Sequence, residues 1–401
     1  MKLTDVKTYV IRTDPPNWGG PLWFFTKLET DEGIEGWGET AILSCLHGLE
    51  KNYEVTVKAI FDRLLKGQDP INREPLYHML YTSLTSQHPD YVALGLISAF
   101  DVALWDICGK YYNAPVYNLI GGKCRDRIRT YTYIYDLEAT DSLFNAVKDW
   151  FSNPARLGEH AARLADEGFT GVKFDPLWQA GSGQFKNPPW EISQLEYDHA
   201  EKAVAAVREA VGNRADICIG THGQITPAAA RRLARRVEKY DPLWLEEPCP
   251  PENYAEMGRI AQSTSIPIAT GERLVTVYEF QNLIRENACA IVQPDLGSCG
   301  GITACKKIAS LAEANYVLMA PHVWGGPIIT AAAIQIAANI PNFLILESIY
   351  KSRNFFDVIV KEPFDWENGY LNLADRPGIG IELNEESLEA HRGALEEGEW
   401  L

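Results

Sequence analysis

The chain has 401 residues, 46% of them hydrophobic, enough for one large domain plus a smaller one around a sizeable core. Its formal charge of −17, from 54 acidic against 37 basic side chains, argues against nucleic acid or an anionic membrane as partner. Acidic small molecules stay open, because a local metal and a lysine can reverse the sign inside a pocket.

The opening reads as an antiparallel meander: Val6–Thr13, Leu22–Glu29, a turn at Asp31-Glu32-Gly33, then Gly36–Thr40. Val6, Tyr9 and Ile11 alternate with polar residues and no basic-then-apolar layout precedes them, so a strand is expected there and not a signal peptide. Apolar residues recur at helical spacing over Tyr53–Lys66 and Leu94–Lys110. No apolar run is expected to reach the roughly 18 residues of a membrane span. The eight cysteines, at 45, 108, 124, 218, 249, 289, 299 and 305, form no CxxC pair, which predicts reduced thiols and a cytoplasmic protein.

After Gly121-Gly122 the texture becomes a regular beat of short apolar strands and amphipathic helices. Strands are predicted at Arg129–Tyr135, Gly171–Asp175, Asp216–Gly220, Leu243–Pro248, Ile266–Glu272, Ala290–Asp295, Tyr316–His322 and Phe343–Ser348, with helices such as Pro227–Tyr240 and Thr303–Ala314 between them. That alternation is the pattern of an α/β fold of the TIM-barrel kind, whose chemistry sits at the C-terminal strand tips.

Two strand ends carry the chemistry. Leu245-Glu246-Glu247-Pro248 and Ala269-Thr270-Gly271-Glu272 each leave a carboxylate at a tip, and Glu246 and Glu272 lie one strand-loop-helix-loop unit apart, so both can face one site. Carboxylates gathered without matching cations call for a hard divalent cation such as Mg²⁺. Asp295 in Gln293-Pro294-Asp295 and His322 in Ala320-Pro321-His322 repeat the spacing, which places an acid and a base beside that metal site. Two loops, Pro15–Trp23 with its two tryptophans and the polar Asp175–Trp190, are each either a closing flap or an ordinary surface connection.

Ser98-Ala99-Phe100-Asp101, Ala103-Leu104-Trp105-Asp106, Gly109-Lys110 and Pro115-Val116 through Gly121-Gly122 resemble the helix leading into the barrel in the mandelate racemase group of the enolase superfamily. Glu29-Thr30-Asp31-Glu32-Gly33 with Gly36-Trp37-Gly38-Glu39, Gln293-Pro294-Asp295-Leu296, Gly300-Gly301-Ile302-Thr303 and Ala320-Pro321-His322 are similar to acid-sugar dehydratases of the galactonate dehydratase kind. The resemblance implies a modified (β/α)₇β barrel (123–349) under an α+β capping domain built from residues 1–122 and the tail 350–401. It also implies Mg²⁺, an enolate intermediate, a sugar-acid substrate and a homo-oligomer. Enolase-superfamily sites pair a Lys or His base with Mg²⁺, as the general account of the superfamily has it.

Residue by residue, the resemblance makes His322 the base oriented by Asp295, Lys173 a contact for the substrate carboxylate, and Glu347 a hydrogen-bonding partner that donates if it stays protonated. It makes His222, in Gly220-Thr221-His222-Gly223, the acid that protonates the departing hydroxyl. Gly220 stands where the family places its first metal-binding aspartate, so Asp175 is expected to complete the metal shell with Glu246 and Glu272 or to orient a bound water. Asp175 also replaces the lysine base of the racemases, which favours dehydration to a 2-keto-3-deoxy acid over racemisation. Trp18, Trp23, Cys45 and His47 of the cap loops are expected to meet the substrate. A cycloisomerase or epimerase of a sugar acid or lactone, and a non-catalytic binding member, are the alternatives.

Overall fold

The computed structural model describes residues 1–41, 50–134, 153–177, 191–350 and 353–394. Strands β1 (Leu3–Arg12), β2 (Leu22–Thr30) and β3 (Glu35–Thr40) form an antiparallel sheet in that order. The helix Tyr91–Tyr111, capped by Asp90, whose side chain accepts from the Ala93 amide, lies on β3. The approach is so close that a Cβ on Gly38 would sit 1.8 Å from the Ala99 carbonyl oxygen, and one on Gly36 2.2 Å from that of Ala103. Only glycine permits this contact, which is the physical content of the Gly36-Trp37-Gly38-Glu39 string.

The same helix corrects one expectation: over its 21 residues it is long and apolar enough to cross a membrane, but 89% of that stretch is buried inside the protein. A core helix covered on every side carries the same composition as a membrane span. The helix Arg73–Leu84 had no forecast in the sequence, and its apolar stripe is short, with only Leu76 and Leu80 buried.

The second unit is built on parallel strands β4 (Arg127–Tyr133), β5 (Gly171–Phe174), β6 (Asp216–Gly220), β7 (Trp244–Glu246), β8 (Ile268–Thr270), β9 (Ile291–Val292), β10 (Leu318–Met319) and β11 (Leu346–Glu347). From β4 to β10 each pairs with the next, Met319 bridges to Phe343 just ahead of β11, and β11 pairs with β4. A hairpin of β12 (Trp366–Glu367) and β13 (Tyr370–Asn372) adds antiparallel to β4, so the sheet is mixed. Inside lie Tyr131, Cys218, Trp244, Ala269, Ile291, Ala320 and Ile345, a buried floor beneath the strand tips.

The later ladders are shorter than the apolar runs that announced them. Pro294 and Pro321 follow β9 and β10 and have no N–H to give the ladder, so regular pairing stops before the residues of interest. It resumes as one bridge between Asp295 and His322. The units are joined through polar contacts of the Tyr91–Tyr111 helix: Ser98 Oγ accepts from the Gly300 amide at 2.9 Å, Asp101 from the Thr303 amide at 2.9 Å, and Trp105 donates to Thr303 Oγ1 at 2.9 Å. From the tail, Glu385 accepts from Lys27 at 2.7 Å and from the Tyr9 hydroxyl at 2.6 Å.

Candidate active site

Lys173 on β5 is almost fully buried, with its ammonium 2.5 Å from Glu246 Oε1 and 3.0 Å from Glu347 Oε1. Burial alone would lower its pKa; the two carboxylates overcome that and hold it well above the usual lysine range. Glu246, at the tip of β7, has its other oxygen fixed by the indole of Trp244 at 3.0 Å and the amide of Gln293 at 2.8 Å. Glu347, on β11, accepts from the Tyr133 hydroxyl at 2.6 Å and the Val323 amide at 2.8 Å. Burial raises its pKa, and Lys173, His322 and these donors bring it below the ordinary value.

His322 completes this wall. Its Nδ1 lies 2.6 Å from Asp295 Oδ2, and its Nε2 lies 3.5 Å from Glu347 and 3.6 Å from Glu272. A carboxylate only accepts, so Nδ1 carries a proton and Nε2 is the atom turned toward Glu272 and Glu347. Asp295 is itself fixed, because its Oδ1 accepts from the Gly297 amide at 2.7 Å. Burial lowers the pKa of His322, but Glu347, Glu272 and Asp295 outweigh it and raise it to about 10, so this imidazole is cationic until nearby charge is cancelled. Glu272 answers in the opposite sense: burial raises it, yet His322, Lys173 and His222 bring it down to about 2.

Across the strand tips, His222 stands on a left-handed backbone (φ 48°) just after β6. Its Nδ1 is 2.9 Å from Asp175 Oδ2. Burial lowers its pKa, and the Asp175 contact and the charge of Glu272 raise it above the usual histidine value. Asp175 is fully buried; its Oδ1 accepts from the Leu177 amide at 2.7 Å, and Oδ2 also takes a hydrogen bond from Gln224 at 3.4 Å. Both Asp175 oxygens are thus engaged by His222, Gln224 and the chain itself. Among the described residues no group of three or more His, Cys, Asp and Glu side chains forms a metal shell.

Two carboxylates, Glu246 and Glu272, remain for a cation. Burial and the charges of Glu272 and Glu347 push Glu246 above the normal carboxylate range, against the pull of Lys173, which is the signature of a site short of positive charge. Mg²⁺ commonly binds through one or two carboxylates with water and substrate oxygens filling the rest, so the donor set fits it. Gly220 leaves space beside them: a Cβ there would stand 3.5 Å from Lys173 Cε and 3.7 Å from His222 Cε1, ordinary van der Waals contacts.

The cap loop differs from its forecast. Trp23 is buried, donates to the Gly19 carbonyl at 3.1 Å, and packs on Phe355 and Phe356 with ring centroids 5.3 Å away in each case. It is a core anchor for the loop. Trp18 is also buried. Cys45 and His47, and residues 178–190 of the second loop, lie outside the described residues.

Sequence reasoning missed Tyr133, whose place in Tyr131-Thr132-Tyr133 reads as strand core, although its hydroxyl reaches Glu347. It missed Glu247 and Arg273 as well, a pair buried on the glutamate side and joined at 2.6 Å. The adjacent Glu246-Glu247 and Glu272-Arg273 signals were visible, since strand alternation sends neighbours to opposite faces.

A parallel-strand α/β unit with acids and bases at its strand tips, under an N-terminal α+β cap, defines a class of enzyme, and sequence comparison names it. Residues 156–387 match the model of the enolase C-terminal domain-like family, and residues 23–121 that of the mandelate racemase/muconate lactonizing enzyme N-terminal domain. The chain belongs to the mandelate racemase group of the enolase superfamily. It is 33% identical to a D-xylonate dehydratase of Haloferax volcanii over 100% of this chain and 90% of that one. It is 34% identical to a D-galactonate dehydratase of Variovorax paradoxus, over 97% and 94%. Among solved structures it superposes on a mandelate racemase/muconate lactonizing enzyme from Sulfitobacter with a TM-score of 0.91 at 38% identity, covering 100% and 98% of the two chains.

Proposed function

We propose that this protein is a Mg²⁺-dependent dehydratase of a sugar acid, an aldonate or aldarate, working at the tips of a modified (β/α)₇β barrel. The observation that carries the reading is the Asp295–His322 pair turned toward Glu272 and Glu347 beside a buried lysine. The names of the relatives support the reaction class.

The proton next to a carboxylate is too weakly acidic for an unaided imidazole, so the charge that develops on its removal has to be stabilised as it forms. Glu246 and Glu272 would hold a divalent cation, which would supply Lewis-acid stabilisation of that charge. Lys173 contributes a second positive charge without leaving the barrel interior. His322 Nε2 takes the α-proton, and Asp295 stabilises the imidazolium that results. His222 gives a proton to the departing β-hydroxyl, and the enol so formed becomes a 2-keto-3-deoxy acid.

One observation favours a second reading. With Asp175 on its Nδ1, His222 has the equipment of a base and could return a proton to the opposite face, which would make the enzyme an epimerase. Incubating the protein and Mg²⁺ with a stereochemical panel of aldonic and aldaric acids decides between them. A dehydratase yields an α-keto acid detected with semicarbazide; inverted sugar acid without keto acid selects the epimerase.

A further inference from the structure

The two histidines are held in the same way. Asp295 follows β9 and His322 follows the next strand, β10; Asp175 follows β5 and His222 follows the next strand, β6. In each case one aspartate oxygen accepts from the backbone amide two residues on, Gly297 or Leu177, at 2.7 Å, and the other meets the histidine Nδ1, at 2.6 or 2.9 Å. An aspartate turn of this kind fixes the carboxylate before the histidine arrives, so the ring receives an orientation and a tautomer together. Asp175 is fully buried, and its side-chain partners among the described residues are His222 and Gln224. A buried carboxylate costs several kcal/mol unless it is well satisfied, and here the satisfaction comes from one imidazole, one amide side chain and one backbone N–H.

We infer that Asp175 is the positioning residue of the acid arm: it holds the proton on His222 Nδ1, turns Nε2 to the cavity as the proton donor, and stabilises the imidazolium from which the proton is given. The inference rests on the dehydratase reading and assigns to Asp175 a role that the metal shell does not need. The proton goes from His222 Nε2 to the β-oxygen as the C–O bond breaks; the electron pair of that bond leaves with water, and the α-carbon electrons form the new double bond. The charges of Glu272 and Lys173 act on the imidazole together with Asp175, and the imidazole acts in turn on Glu247.

The test compares wild type, Asp175→Asn and Asp175→Ala, with His222→Asn to assign resonances. By imidazole ¹⁵N NMR, wild-type His222 should show a protonated, hydrogen-bonded Nδ1 that is lost in both Asp175 variants while the His322 signals stay in place. An unchanged His222 spectrum overturns the inference whatever the substrate proves to be. On the sugar acid found active, Asp175→Asn should lower β-hydroxyl loss about a hundredfold, the range of a general acid. Exchange of the α-proton in D₂O, driven by His322, should persist, as should elimination from the β-fluoro analogue, whose leaving group needs no acid. Loss of exchange, dehydration and fluoride release in equal measure would overturn the role, as would a fall in Mg²⁺ affinity by titration calorimetry. A wild-type enzyme that makes no keto acid from any sugar acid counts against the dehydratase reading, and the NMR comparison still decides the pairing of Asp175 with His222.

Discussion

The arm around His322 and the arm around His222 share a plan and differ in their surroundings. His322 is 12% exposed, bridged to Asp295 through its own backbone, and faced by two glutamates. His222 is 21% exposed, sits on a positive-φ turn, and meets Asp175 at 2.9 Å. The two arms thus share the aspartate pairing and differ in the charges that face the ring.

The comparison breaks first at His322. His322→Asn should abolish both α-proton exchange and keto-acid formation, by about a thousandfold or more given the span of general-base catalysis, as measured by D₂O exchange and the semicarbazide assay. Retained exchange would mean that another group is the base. His222→Asn should act on one step only: dehydration falls by about a hundredfold while exchange stays within about threefold of wild type. Equal loss in the two assays would erase the division between the arms.

A smaller effect is expected where the acid arm borders the proposed metal. Gly220→Asp should restore a carboxylate beside Glu246 and strengthen Mg²⁺ binding by about tenfold, or about 1.4 kcal/mol, in titration calorimetry. A Cβ at this position makes only ordinary contacts, so the backbone admits the side chain. Unchanged affinity would place the cation away from β6. The smallest effect belongs to Tyr133→Phe, which removes one of the donors to Glu347. With Lys173 and the Val323 amide still in place, the loss should be about 1 kcal/mol, seen as roughly a fivefold fall in kcat/KM.

The base arm was legible because Asp295 and His322 each follow a proline that closes an apolar run, and adjacent runs make adjacent strands. The acid arm was half legible. His222 announces itself between glycines, but the sequence between Asp175 and His222 includes a long polar insertion, and nothing in it says that a carboxylate two residues past Lys173 turns sideways to a histidine and away from the glutamates. The packing of Trp23 was hidden for a related reason: in a stretch of prolines and glycines an indole looks displayed, and the phenylalanines that cover it, Phe355 and Phe356, come from the other end of the chain. Tyr133 was invisible because its ring obeys the strand's apolar alternation and only its hydroxyl does otherwise.

Glu39 gives the cap a stake in the chemistry. From the end of β3 it reaches across to accept the amides of Gly326, Ile328 and Ile329 at 2.5, 3.1 and 3.0 Å, gripping the start of the helix Pro327–Asn339 just downstream of His322. The cap and the stretch that follows His322 are therefore spliced at this carboxylate. Anyone exchanging cap modules between relatives to retune substrate choice would have to carry that splice along, or the transplanted lid would settle without bringing the base to its station.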